Sequence, residues 1–216
     1  KNYSMSYAFT NGPFFNTGVK AQYTAGKFSI MAGVTNPTDF KSAIDAGSTQ
    51  KTFIGQLGYI ADSGSAYFNV TSGSANPTSD KNITQFDFVG SKKLSDAFSL
   101  GFNGTYAMVA DDFDSDLDGE WFSLVGYANY TFKENLSLAY RLEYFDDEDG
   151  LTASSSVRGG VGSVLGNTLS LNYKVGNLTI IPEIRYDSAS EDVFFDSDAA
   201  ATGSNAYVLL ATTYTF

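Results

Sequence analysis

Apolar and polar residues alternate along this chain with a period of two, in stretch after stretch, while helix-period patterning is scarce. Successive side chains of a strand point to opposite faces, so each stretch offers one apolar and one polar face. The last stretch is the clearest case. Ala206, Val208, Leu210, Thr212, Tyr214 and Phe216 fall on one face and Asn205, Tyr207, Leu209, Ala211, Thr213 and Thr215 on the other. Long two-faced strands with no helices to cover them have one main home, a closed barrel in a membrane. There the ladder satisfies every backbone group and lipid covers the apolar face.

Ten further stretches precede it, in five hairpins. The first pair lies near 15–24 and 27–35, joined at Ala25-Gly26, and the second near 51–61 and 64–71, joined at Asp62-Ser63-Gly64. A fifth strand carries Thr84, Phe86 and Phe88 opposite Gln85 and Asp87, and Ser91-Lys92-Lys93 is expected to turn it into a sixth, Phe98 to Met108. Lys133-Glu134-Asn135 and Val175-Gly176-Asn177 turn the last two pairs. Pro182 interrupts the tenth strand, and because proline cannot donate to the ladder a bulge is expected there. Short turns therefore alternate with long polar loops, as in outer-membrane barrels. Aromatics on the apolar face gather near the short turns (Tyr23, Phe28, Tyr59, Phe88, Phe98, Tyr130, Phe132, Tyr173, Tyr214) and again near the long loops (Phe53, Tyr106, Phe122, Tyr144, Tyr186). Two such belts suit the two membrane–water boundaries.

The expected fold is thus all-β, a transmembrane antiparallel up-and-down β-barrel with eleven readable strands, in one outer-membrane domain over residues 1–216. If the last strand descends to the periplasm, alternation makes the first readable strand descend too. Residues 1–14 then form an external loop. Bacterial single-chain barrels have an even strand count, so an odd number predicts twelve or more strands in the complete protein, with this chain its C-terminal portion.

Composition removes several functions. The net charge of −11 disfavours nucleic acid as a partner. Without cysteine there is no disulfide framework, and without histidine the usual general base and a common metal ligand are absent. Histidine-dependent barrel enzymes are excluded on this inventory, so no catalytic residue and no cofactor are expected.

The segment Asn2-Tyr3-Ser4-Met5-Ser6-Tyr7-Ala8-Phe9, followed by Gly12-Pro13-Phe14-Phe15-Asn16-Thr17-Gly18-Val19, resembles the OmpL-like β-barrel porin family of Gram-negative bacteria, and Ala32-Gly33-Val34-Thr35-Asn36 continues the likeness. The resemblance implies a porin-like barrel integral to the Gram-negative outer membrane and says little about substrate. The terminal aromatic resembles the recognition signal for barrel assembly in such proteins.

Lys20, Gln22, Asp87, Arg141, Glu143, Asn172, Lys174, Glu183, Arg185 and Asp187 fall on the faces opposite the apolar ones. Charges facing lipid at mid-membrane would cost several kcal/mol each, so these are the candidates to line the interior. That interior is either an aqueous channel biased by its charges or one filled by paired side chains such as Arg141 and Glu143. Asp114, Asp116 and Asp118 before Gly119 match the start of a calcium loop, but the position due to hold the bidentate Glu is Val125. They are a weak metal candidate against the reading of a solvated acidic loop. Expected partners are outer-membrane lipid, lipopolysaccharide and small polar solutes. The function expected is a porin-like channel for passive diffusion of small hydrophilic solutes. The alternative is a non-conducting structural or accessory subunit of a larger outer-membrane protein complex.

Overall fold

The computed structural model describes residues 1–42, 50–74, 81–111, 118–152 and 162–216. A short helix, α1 (Tyr7–Thr10), precedes ten strands of a meander: β1 (Gly18–Ala25), β2 (Phe28–Thr35), β3 (Thr52–Ala61), β4 (Gly64–Ser74), β5 (Lys81–Lys93), β6 (Phe98–Asp111), β7 (Gly119–Lys133), β8 (Leu136–Asp147), β9 (Gly162–Val175) and β10 (Leu178–Ala189). A two-residue pair, β11 (Phe194–Phe195) and β12 (Ala201–Thr202), intervenes before β13 (Ser204–Tyr214). β1 to β10 and β13 make one eleven-stranded antiparallel sheet in which each strand pairs with its neighbour in sequence. β1 and β13 stand at the two ends of that order. From β3 onward the strands of this sheet run 10 to 15 residues, long enough for a bilayer core, which takes about 9–11 residues of tilted strand.

Hairpin chemistry sets the meander. Gly26 and Gly176 take φ of +58° and +61° in the tight turns after β1 and β9, a conformation that glycine enters without a Cβ penalty. The short connections share one end of the sheet and the long ones the other. The turn after β5 comes later than expected: Ser91, Lys92 and Lys93 continue the strand and pair with β6, and residues 94–97 make the turn. There Phe98 N–H donates to Ser95 Oγ at 3.0 Å, a local closure of the turn.

The two faces separate as the alternation requires. Val19, Tyr23, Phe28, Ile30, Leu57, Leu142, Leu169, Ile184, Val208 and Leu210 are exposed on the apolar face. An apolar surface of this extent has no place in water and fits a hydrocarbon surround. The opposite face holds the buried charges Arg141, Glu143, Glu183, Arg185 and Asp187.

Three local expectations are corrected. Pro182 makes no bulge: it pairs with Leu210 of β13 in unbroken register, and the β9 ladder skips Ile181 and Pro182 and resumes in the same register at Glu183. The missing N–H removes a bond locally and inserts no residue. Asp147, which the run Asp146-Asp147-Glu148-Asp149-Gly150 leads one to expect in a loose acidic loop, does not sit in one. It is fully buried at the end of β8, where its carboxylate accepts the Leu151 and Thr152 N–H groups at 2.8 and 2.9 Å. Within residues 1–14, expected as an external loop, residues 2–7 lie instead against the interior face. They fold back across the polar face of β7 to β10.

Candidate functional site

The regular register stacks the polar-face residues of successive strands into rows. Tyr127, Arg141, Thr168, Arg185 and Tyr207 form one row across β7, β8, β9, β10 and β13. Asn103, Val125, Glu143, Gly166, Asp187 and Asn205 form the next. Gly166 is small because its neighbours need the space: a Cβ there would lie 2.8 Å from Glu143 Cγ and 2.9 Å from Asp187 Oδ1.

The two rows hold residues 2–7 as a strap. Arg141 donates through Nη1 to the Ser4 carbonyl at 2.6 Å and through Nη2 to the Met5 carbonyl at 3.2 Å and Thr168 Oγ1 at 3.0 Å. Arg185 Nη1 donates to the same Met5 carbonyl at 2.8 Å. Glu143 Oε1 lies 3.1 Å from both guanidinium groups, and its Oε2 accepts the Tyr7 N–H at 2.8 Å. Asp187 accepts Arg185 Nε at 2.8 Å and the Tyr7 hydroxyl at 3.1 Å. Arg185 also lies over the Tyr7 ring, 4.8 Å from its centroid. Glu183 holds the strap's start, accepting Tyr3 N–H at 2.7 Å, Ser4 N–H at 3.0 Å and Ser170 Oγ at 2.6 Å. Ion pairs this deeply buried persist only when their remaining donors and acceptors are satisfied, and the strap's backbone does that here.

Toward the long-loop end the same half is dry. Tyr7 stacks on Phe145 at 5.2 Å, Trp121 lies 6.0 Å from Phe145, and Ala107, Val164, Val193 and Phe194 complete the cluster. Val193 and Phe194 come from the β11 region, which folds inward between β10 and β13. The sequence carried one sign of this: Trp121 and Phe145 sit on the polar face, out of step with the lipid-facing aromatics beside them.

The other half is open. Gln56, Asn69, Asp87 and Thr105 form a row across β3 to β6. Gln56 donates to Asn69 at 2.7 Å, and Asn69 donates to Asp87 Oδ2 at 3.0 Å. Asn103 and Thr105 donate to Asp87 Oδ1 at 2.6 and 2.7 Å. Between this row and Phe9, Gly12 and Phe14 lies a cavity of about 390 Å³. A second, of about 810 Å³, opens toward the short turns past Asn129, Tyr127 and Arg141, and Phe9, Val89 and Asn103 border both. At its rim the Lys93 ammonium, 2.7 Å from Asp96, holds that carboxyl below the ordinary carboxylate range.

Of the ten residues expected inside, Arg141, Glu143, Glu183, Arg185 and Asp187 are brought together in the strap network. Asn172 joins its margin, donating to the Lys1 carbonyl at 3.0 Å. Asp87 stands apart in the open half, and Lys20, Gln22 and Lys174 are exposed. The strap itself was not foreseen as part of the site. Asp114 and Asp116 lie outside the described residues. Among the described residues no group of three or more acidic side chains is placed to hold a metal.

The structure is similar to the outer membrane channel DcaP of Acinetobacter baumannii, with a TM-score of 0.65 and 13% identity over 99% of this chain and 67% of that one. It is also similar to the outer-membrane expressed OmpT of Vibrio cholerae, with a TM-score of 0.64 and 16% identity over 99% of this chain and 72% of that one. At such identities the likeness is one of fold, and the fold is that of an outer-membrane barrel. A sequence search of curated proteins finds no match. A family profile described as putative beta-barrel porin-2, OmpL-like, matches residues 1–216. With its apolar outer face, its charged inner rows and that match over its whole length, the chain belongs to this family of Gram-negative outer-membrane porins.

Proposed function

We propose that this porin-type barrel passes small hydrophilic solutes by passive diffusion, along the half of its interior bounded by β2 to β6, and that it carries out no catalysis. The observation that carries this reading is the division of the interior. The strap and the aromatic cluster occupy much of the β7–β10 half, while two cavities that share Phe9, Val89 and Asn103 run beside the strap, the smaller against β2 to β6 and the larger reaching Tyr127 of β7 and Arg141 of β8. Val89 faces inward and is still 39% exposed, so this part of the wall looks onto a wet space. Polar groups on such a wall replace part of a solute's hydration as it passes. Lys20, Gln22 and Lys174 add exposed polar-face groups near the ends of the strand order.

Reconstitution of the full-length protein in planar bilayers tests the reading. Discrete conductance steps are expected, with liposome swelling that admits small sugars and excludes larger ones. A silent bilayer, with protein shown to be inserted and folded, would overturn it in favour of an accessory barrel whose interior is filled throughout.

A further inference from the structure

In the filled half Glu183 is 1% exposed and covered by the strap, accepting its Tyr3 and Ser4 amides. Both guanidinium groups there face carboxylates within about 3 Å. The open half is different. Asp87 has three hydrogen-bond donors, all neutral, and among the described residues no cation lies within ion-pair distance of it. Amide and hydroxyl donors of this kind hold a carboxylate in place without cancelling its charge. A lone fixed charge in a narrow space with low-dielectric walls focuses its field on whatever enters.

Across the 390 Å³ cavity from Asp87 stand Phe9 and Phe14. They are 56% and 58% exposed and pack edge to face at 5.7 Å. Exposed phenyl rings lining the same cavity as an uncompensated carboxylate are unsuited to an anion. They suit a cation with an organic body, which gains from the carboxylate and from the ring quadrupoles together. We propose that this cavity is a binding subsite for small organic cations, solutes bearing an ammonium or guanidinium group, with Asp87 taking the charge and Phe9 and Phe14 the body. The proposal rests on the channel reading for its route of entry, but the subsite itself can be tested without conductance.

The probe is agmatine, with glucose as the neutral comparison, on the full-length protein. In bilayers under a KCl gradient the reversal potential is expected to show cation preference, and agmatine to interrupt the current. Asp87→Asn keeps the side chain's shape and lowers the cation-to-anion permeability ratio several-fold. It also raises the half-blocking agmatine concentration by roughly tenfold, the scale of one charge-assisted contact. Phe9→Leu raises it by about threefold. An unchanged ratio in Asp87→Asn, or block by glucose as strong as by agmatine, would overturn the subsite. If no conductance is seen, calorimetric titration of agmatine into the detergent-solubilised protein decides the matter. Binding that Asp87→Asn abolishes supports a subsite in a non-conducting barrel. No binding to a protein that remains folded overturns the subsite itself.

Discussion

Glu143 is the residue on which the filled half turns. One oxygen faces Arg141 and Arg185 together and the other accepts the Tyr7 N–H. Glu143→Ala would leave two buried guanidinium groups close to one another and the strap's amide unpaired. Removing one member of a buried ionic network costs about 3–5 kcal/mol. The chain has a single tryptophan, Trp121, packed beside Phe145 in the adjoining cluster, so its fluorescence reports on this region. Urea unfolding in lipid vesicles should show that loss as a lowered midpoint, and a change under about 1 kcal/mol would mean that water already screens the network. Arg141, Glu143, Glu183, Arg185 and Asp187 could be placed on the polar face by counting in twos. Their joint grip on Tyr3, Ser4, Met5 and Tyr7 could not, because those partners lie 136 to 180 positions away in sequence.

At the scale of elements, the strap separates what alternation shows from what it hides. The main-sheet strands come from local patterning, since each hairpin needs only a turn and two faced stretches. The strap has no such pattern. It is held largely by backbone groups, which every residue type offers alike, with the Tyr7 and Asn2 side chains adding contacts, and α1 is a single turn capped by Ser6, whose Oγ accepts the Phe9 N–H at 3.2 Å. The inward fold at Val193 and Phe194 was equally hidden, its signal being two apolar residues inside a long acidic loop. The strap's seating is testable because the chain has no cysteine. Ala8→Cys, at a position 4% exposed, should resist a water-soluble maleimide, while Thr10→Cys, at an exposed position, should react. Adding Glu143→Ala should make the Ala8→Cys thiol reactive. Equal labelling rates at both sites from the outset would mean that the strap does not stay docked.

For the whole molecule, the governing fact is which face meets lipid. Leu169, mid-strand on the apolar face of β9, should tolerate Arg poorly, losing roughly 2–4 kcal/mol as expected for a charge near the bilayer midplane. Gln22→Arg, on the polar face of β1, should change stability by no more than about 0.5 kcal/mol. Folding titrations of both variants in vesicles measure this, and a reversed order would invert the assignment of faces.

The sequence by itself determined the class of structure. Period-two alternation, two aromatic belts and alternating turn lengths are local properties, and only a membrane barrel satisfies them together. It determined the polar-face residues for the same reason, since a strand's period is fixed by its covalent geometry. Only the tertiary structure decided how the interior is used. The rows that join Arg141 to Arg185, or Gln56 to Thr105, exist because register is carried across several strands and the loops between them. Whether paired side chains fill a space or leave it open depends on what else folds into it. The strap entered one half and left Asp87 uncompensated in the other, an outcome of packing over long sequence separations that no local period records.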